Sequence, residues 1–178
     1  MYDVVVLAGG SGRRLGGVDK PALVVGGVPL LDRVLSACPD ATRSIVVGPE
    51  RPTRRPVLWT REDPAGGGPV PALAAGLELV TATTVLLLAA DLPFFTSECA
   101  CLLRSSAPAV LLGEGRPQWL CSAWRTAELR RAVAGAGGGR LGDVLTVLAP
   151  AELSWQGPGR PWDDCDTEQD VRRARELA

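Results

Sequence analysis

A three-layer αβα fold, built on a mostly parallel sheet with helices on both faces, is the architecture this sequence predicts, on three observations. Short apolar, β-branched runs recur along the chain, segments of helical spacing lie between them, and glycine, proline or aspartate turns end many of the runs. Alternation of this kind sets strands parallel, since a crossover helix returns the chain to the same edge, and such a sheet is covered on both faces. The 178 residues suit one domain over 1–178, and a hydrophobic share of 46% is enough for its core.

The first strand is residues 3–7 (DVVVL), ended by Ala8-Gly9-Gly10-Ser11-Gly12, a run that suits neither helix nor strand. Pro29 stands at the first turn of a helix with Leu30, Leu31, Val34 and Leu35 on its apolar side. A second strand covers 44–47 and stops at Gly48-Pro49; residues 49–56, rich in proline and arginine, form a loop before a short strand at 57–60. The glycine-rich stretch 63–71 opens a helix over 72–80. Residues 84–89 (TVLLLA) form the clearest buried strand, which stops at Asp91-Leu92-Pro93. Ser97 caps a helix over 98–105, with Glu98 in its first turn. Later strands fall at 109–112 and 120–124, and helices at 127–133 and 141–148, with a glycine loop at 135–139. Thr167 caps the last helix with Asp170 three positions on, and Val171, Ala174 and Leu177 form its apolar side.

Composition excludes several function classes. With 19 basic and 20 acidic residues, net charge −1, the chain has no general attraction to nucleic acid or anionic membrane. Apolar runs such as 85–90 fall far short of the ~20 residues of a membrane span. Met1-Tyr2-Asp3 lacks the positive start of a signal peptide, so a cytoplasmic protein is expected. Five cysteines, at 38, 99, 101, 121 and 165, contain no C-x-x-C pair and read as small buried thiols. There is no histidine. Triad hydrolysis, Cys-His proteolysis and His-ligated zinc chemistry all need imidazole. The chemistry must therefore run on carboxylates, Lys, Arg, backbone amides or a hard metal ion.

The segment from Leu7 to Pro21 (LAGGSGRRLGGVDKP) follows the first strand directly. Ligands of open α/β sheets bind beyond the carboxyl ends of the strands. Glycines let successive backbone N–H groups converge on one anion, and Arg13, Arg14 and Lys20 add cationic donors, so the loop suits a polyphosphate as well as a plain tight turn. It is not the dinucleotide fingerprint, whose third glycine is Leu15 here, and it lacks the Gly-Lys-Ser/Thr of a P-loop. Asp91, at the end of a strand, is either part of a turn or a carboxylate poised over the ligand crevice, where Mg²⁺ would take oxygen ligands. Asp163, Asp164 and Asp166 crowd together just before the last helix; capping would use one of them, and a cation would neutralise more.

The pattern L-A-G-G-x-x-x-R-x-G-G-x-D-K resembles the signature of nucleotidyltransferases with the nucleotide-sugar pyrophosphorylase-like fold, a Rossmann-like nucleotide-diphosphosugar transferase fold. The run Gly16-Gly17-Val18-Asp19-Lys20 is most similar to the molybdenum cofactor guanylyltransferase (MobA) branch, and the likeness extends from Val4 to about Ala174. The resemblance implies that Leu7, Ala8, Gly9 and Gly10 hold base and ribose, that Ser11, Gly12 and Arg14 line the phosphates, and that Lys20 neutralises the transferring phosphate. Asp91-Leu92-Pro93 matches the family's metal-binding acidic residue followed by x-Pro, with Asp166 as a second ligand. The family's aromatic-x-Asn-x-Asn-Thr-Pro motif reads Trp162-x-Asp164-x-Asp166-Thr167-Glu168 here, with both asparagines replaced by aspartate and the proline absent. Asp63 corresponds to a nucleotide-contacting aspartate, with Gly68-Pro69 shaping the loop beside it, while Gly48-Pro49 stand where the family has a polar Asn.

The segment from Gln118 to Trp124 is similar to the one that faces the pterin acceptor, which implies Gln118, Trp119 and Asp164 on the acceptor side; Trp124 reads equally as a stacking surface or as core. Arg116 or Arg140 is available for the acceptor phosphate. The implied reaction is Mg²⁺-dependent transfer of GMP from GTP to molybdopterin, with pyrophosphate released and molybdoenzymes or their chaperones as transient partners. Gly9-Gly10 suggests GTP by the same resemblance. Another phosphorylated acceptor, or nucleotide binding without catalysis, remains open at this point.

Overall fold

The computed structural model describes residues 1–9 and 18–177. A seven-stranded sheet runs in the order β5-β4-β1-β6-β8-β7-β9. Its strands are β1 (Asp3–Leu7), β4 (Ser44–Val47), β5 (Leu58–Thr60), β6 (Thr84–Ala89), β7 (Ala109–Gly113), β8 (Arg116–Arg125) and β9 (Ala151–Ser154). β1 pairs in parallel with both β4 and β6, and β4 in parallel with β5. β8 runs antiparallel to both β6 and β7, and β9 returns parallel to β7. The sheet is thus mostly parallel, as expected, with one strand reversed.

The two faces of β1 divide the core. Val4 and Val6 face α1 (Leu30–Ser36) and α3 (Ser97–Ser105), packing with Leu31, Leu35, Cys99 and Leu103. Val5 and Leu7 face α2 (Pro69–Glu78), α4 (Thr126–Gly135) and α5 (Leu141–Thr146), packing with Leu73, Leu77, Leu129 and Leu145. A period of two sends alternate side chains to opposite faces, so a strand buried on both reads as a continuous apolar run. The layers touch closely at Gly76 of α2, where a Cβ would stand 2.8 Å from Val5 Cγ1 and 2.9 Å from Val47 Cγ2.

A third, smaller cluster ties the end of the chain to its beginning. Cys165 and, on α6 (Glu168–Leu177), Val171 and Ala174 pack with Leu30 and with Val25 of a hairpin formed by β2 (Val24–Val25) and β3 (Val28–Pro29). Leu177 is 65% exposed and does not join them, so the apolar side of α6 is shorter than its spacing suggests. The capping box is formed: Thr167 N–H and Oγ1–H both donate to Asp170 Oδ2 at 2.7 Å, and Asp170 N–H donates to Thr167 Oγ1 at 3.2 Å. This packing returns residues 162–166 to the neighbourhood of Lys20 and Asp91.

Local departures from the sequence reading have identifiable causes. α3 is capped by Thr96 rather than Ser97, its Oγ1 accepting from Cys99 N–H. α2 starts at Pro69 rather than 72, because proline's missing N–H costs nothing in a first helical turn. α5 ends at Thr146, short of 148. β8 begins at Arg116 because Glu114 (φ 53°) and Gly115 (φ 72°) make a tight hairpin turn with β7. The β2–β3 hairpin and β9 are additional to the expected elements. Trp124 resolves as core, fully buried with its Nε1–H donating to Ser122 Oγ at 2.7 Å. Cys38, Cys99, Cys121 and Cys165 are buried thiols, as read, but Cys101 is exposed.

Candidate active site

The register of the sheet assembles the site. Leu7 lies opposite Val47 on one side and Ala89 on the other, so the chain leaves β1, β4 and β6 at one level. Ala8 N–H donates to Val47 O (2.8 Å) and Ala90 N–H donates to Leu7 O (3.1 Å), fixing the exits against one another. Gly48 has φ +150°, and a Cβ there would meet Ala8 C and O at 2.8 Å. That close backbone approach requires glycine.

Above these exits lies a cleft of about 730 Å³, within the range of small-molecule sites. Leu7, Ala8 and Gly9 lie on its floor with Ala89, Ala90 and Asp91; Asp19 and Lys20 form one wall, and Gly66, Gly68 and Pro69 at the start of α2 another. Following the strand order, Arg61 and Glu62 after β5 and Arg51 after β4 mark one end, and Asp91 after β6 with Asp164 the other.

The charged centre sits at the β6 end. Lys20 begins a short 3₁₀ turn, Lys20–Ala22, and its Nζ donates to Asp166 Oδ1 while lying 3.8 Å from Asp91 Oδ2. One carboxylate oxygen each from Asp91, Asp164 and Asp166 falls within 4.8 Å of the others. Burial raises the Asp91 carboxyl above its ordinary range and repulsion from Asp166 adds to this, while Lys20 pulls it down. Asp164 reaches solvent, but partial loss of water and repulsion from Asp166 and Asp91 push its carboxyl up to about 6. For Lys20, burial opposes the charge, yet the hydrogen bond to Asp166 and the fields of the three aspartates hold its pKa above normal. Among the described residues Lys20 is the cation seen against these carboxylates, and three hard oxygens so close together suit a divalent cation of the Mg²⁺ class.

Asp164 also lines a second cleft of about 350 Å³, with Phe94, Gly113, Gln118, Arg160, Trp162 and Arg173. Gly113 lies against the Trp162 indole, where a Cβ would stand 2.7 Å from Nε1, and Gln118 Nε2–H donates to Gly113 O at 3.2 Å. Trp162 Nε1–H is buried without a partner among the described residues. Arg160 pairs with Glu114 and Asp163, and Arg173 with Asp163 at 3.2 Å.

The structure thus brings Leu7, Ala8, Gly9, Lys20, Asp91, Asp164 and Asp166 together, with Gln118 in the adjoining cleft. Gly10, Ser11, Gly12 and Arg14 lie outside the described residues. Trp119 is on the opposite face of β8 from Gln118, against Gly142 of α5, and lines neither cleft. Asp63 is exposed and also lines neither; its neighbours Arg61 and Glu62 line the nucleotide-sized cleft instead. Arg116 and Arg140 are exposed and line neither cleft; Arg160 and Arg173 line the smaller one. Sequence reasoning missed Arg51, Arg61, Glu62 and Arg160, and named Trp162 only as the aromatic of a motif. Position after a strand's carboxyl end was the available signal for the first three.

Residues 4–150 match a family described as MobA-like NTP transferase domain. A molybdenum cofactor guanylyltransferase of Acidiphilium cryptum (strain JF-5) is 32% identical, over 96% of this chain and 92% of that protein. Another, of Rhodobacter capsulatus, is 33% identical over 71% of this chain and 70% of that protein. Among solved structures, molybdopterin-guanine dinucleotide biosynthesis protein A of Archaeoglobus fulgidus superposes with a TM-score of 0.75 at 21% identity, covering 99% of this chain and 98% of that one. The 2-C-methyl-D-erythritol 4-phosphate cytidylyltransferase of Thermus thermophilus superposes at 0.71 with 22% identity, over 99% of this chain and 98% of that one. At these identities the structural likeness shows the fold, which is that of nucleotidyltransferases. No helix among the described residues is long and apolar enough to cross a membrane.

Proposed function

Because this chain belongs to the MobA-like NTP transferase family and is a nucleotidyltransferase, we propose that it transfers GMP from GTP to molybdopterin or its molybdenum form, with Mg²⁺, in the cytoplasm. The observation that carries this reading is the Asp164 carboxylate, which belongs at once to the larger cleft and to the smaller one. A nucleoside triphosphate in the larger cleft and a phosphorylated acceptor in the smaller would meet at Asp164, beside Lys20, Asp91 and Asp166. The curated relatives bearing the guanylyltransferase name support the choice of GTP and a pterin acceptor.

In the proposed reaction an oxygen of the acceptor phosphate attacks the α-phosphorus of GTP. A new P–O bond forms, the α–β bridging bond breaks, and pyrophosphate leaves with that electron pair. A phosphate nucleophile is already ionised near pH 7, so the chain's lack of histidine is no obstacle. Lys20 binds the triphosphate and neutralises charge that builds on it, exchanging its contact with Asp166 for phosphate oxygens. Asp91 and Asp166, with Asp164 at the edge, are the residues that would hold the divalent cation. When bound there, the cation supplies charge neutralisation for the triphosphate and the leaving pyrophosphate. The start of α2 and the exits of β1 and β4 orient the nucleotide, and Gln118 with the unpartnered Trp162 N–H offers donors to the acceptor.

Pyrophosphate release, measured with GTP, CTP, ATP and UTP in the presence and absence of molybdopterin and Mg²⁺, tests the proposal. Release that requires GTP, the pterin and the metal together is expected. Release with another nucleotide or acceptor would move the protein to a sister activity, and GTP binding without release would favour a non-catalytic partner of molybdoenzymes.

A further inference from the structure

The Arg51 side chain is only 9% exposed, yet its Nε and Nη1 have no hydrogen-bond partner among the described residues. Buried guanidinium donors without acceptors are costly, and groups of this kind in native proteins have a reason. Its Nη2 is held by Asp19 Oδ1 at 3.0 Å, and its Cζ lies 5.9 Å from the centroid of the Trp59 ring. The plane is thereby held from two sides, and the residue lines the larger cleft with Nε and Nη1 buried at its edge.

The cleft follows the strand order, and this places Arg51 at the end away from the carboxylates. Asp91, Asp164 and Asp166 gather at the β6 end, where a metal and the reacting phosphate belong. Arg51 and Glu62 stand at the β4–β5 end, which the base of an extended nucleotide would reach. A guanidinium only donates, so it suits a base edge carrying acceptors. Guanine presents O6 and N7 side by side, the edge arginine most often recognises, whereas adenine places the N6 amino donor beside N7. Glu62 offers the complementary acceptor for guanine N1–H and N2–H, one of its oxygens already receiving Gly66 N–H at 2.8 Å.

We propose that Arg51, clamped between Asp19 and Trp59, reads the O6/N7 edge of the guanine base and sets the nucleotide preference of the site. The assignment rests on the reading of the chain as GTP-using, and it adds the residue that makes that choice.

The test is calorimetric binding of GTP, inosine triphosphate, 7-deaza-GTP and ATP, without acceptor, to wild type, Arg51→Lys and Arg51→Ala. Inosine triphosphate keeps O6 and N7 and lacks only the 2-amino group; 7-deaza-GTP lacks N7. Both variants are expected to lose roughly tenfold or more in affinity for GTP and inosine triphosphate, with ATP changed by less than about twofold. 7-Deaza-GTP should bind wild type more weakly than GTP does, and that difference should shrink in Arg51→Lys, which lacks the planar two-donor fork, and vanish in Arg51→Ala. Should Arg51→Ala fail to fold, the lysine variant and the wild-type response to 7-deaza-GTP carry the test. Equal losses for all four nucleotides would reassign Arg51 to the phosphates and overturn the proposal, as would unchanged GTP affinity. A wild-type preference for ATP would overturn the GTP reading as well, whereas a GTP preference that survives both substitutions would remove only the role of Arg51.

Discussion

Lys20 and Asp91 carry the sharpest residue-level expectations. Among the described residues Lys20 is set among three carboxylates, and Asp91 is the most enclosed of the three. Lys20→Ala and Asp91→Ala should each lower turnover by roughly a hundredfold or more, the scale of removing one preorganised charge partner. Steady-state pyrophosphate release, with circular dichroism to verify the fold, measures this; near wild-type turnover in a folded variant would remove the assigned role. Asp164 gives a pH prediction. Its carboxyl is pushed up to about 6 in the folded protein, against 3.8 as the ordinary value. A raised carboxyl pKa means that ionisation disfavours the fold: the penalty is absent below about 3.8, grows between there and about 6, and is fully present above. Without metal, Asp164→Asn should therefore raise the melting temperature at pH 8 and have less effect at pH 4, as thermal unfolding in chelator would measure. For wild type, Mg²⁺ affinity should fall between pH 7 and pH 5 as Asp164 takes up a proton.

At the scale of elements, two packing details set the site. Gly76 allows α2 to lie directly on β1 and β4. Gly76→Ala should destabilise by about 1–3 kcal/mol, as overpacking does, measurable by denaturant unfolding. The capping box of α6 anchors the segment carrying Asp164 and Asp166. Thr167→Ala should cost about 1 kcal/mol and weaken Mg²⁺ binding more than GTP binding in metal-free buffer; equal effects on both would contradict the anchoring role. These elements also separate what was legible in the sequence from what was not. β1 and β6 could be read because strands buried on both faces become apolar runs, and Thr167 with Asp170 is a local motif whose meaning does not depend on the rest of the chain. β9 (AELS) is polar and held at the sheet edge by its pairing with β7, a long-range contact that no local period records. The reversal of β8 is decided by two turn residues, Glu114 and Gly115. Lys20, Asp91 and Asp166 were legible because charge stood out at a strand end or before a cap. Arg51 was not, since its isolation from acceptors is a property of the folded environment, and Trp119 was misplaced because alternation along β8 sends it to the face opposite Gln118.

Across the whole molecule, the parallel half of the sheet builds the larger cleft and the reversed strand brings Gln118 to the smaller. Asp164 joins the two, and its segment is placed by the packing of α6 on the β2–β3 hairpin. The arrangement fits two substrates that must meet at one phosphorus, and it predicts that nucleotide and acceptor bind side by side. The most direct measurement is pyrophosphate release by the wild-type chain with each of the four nucleoside triphosphates, with and without molybdopterin, at fixed Mg²⁺. The account predicts release with GTP only when the pterin is present, and none in chelator. Release from GTP at the same rate without any acceptor, or acceptor-dependent release with CTP alone, would contradict it.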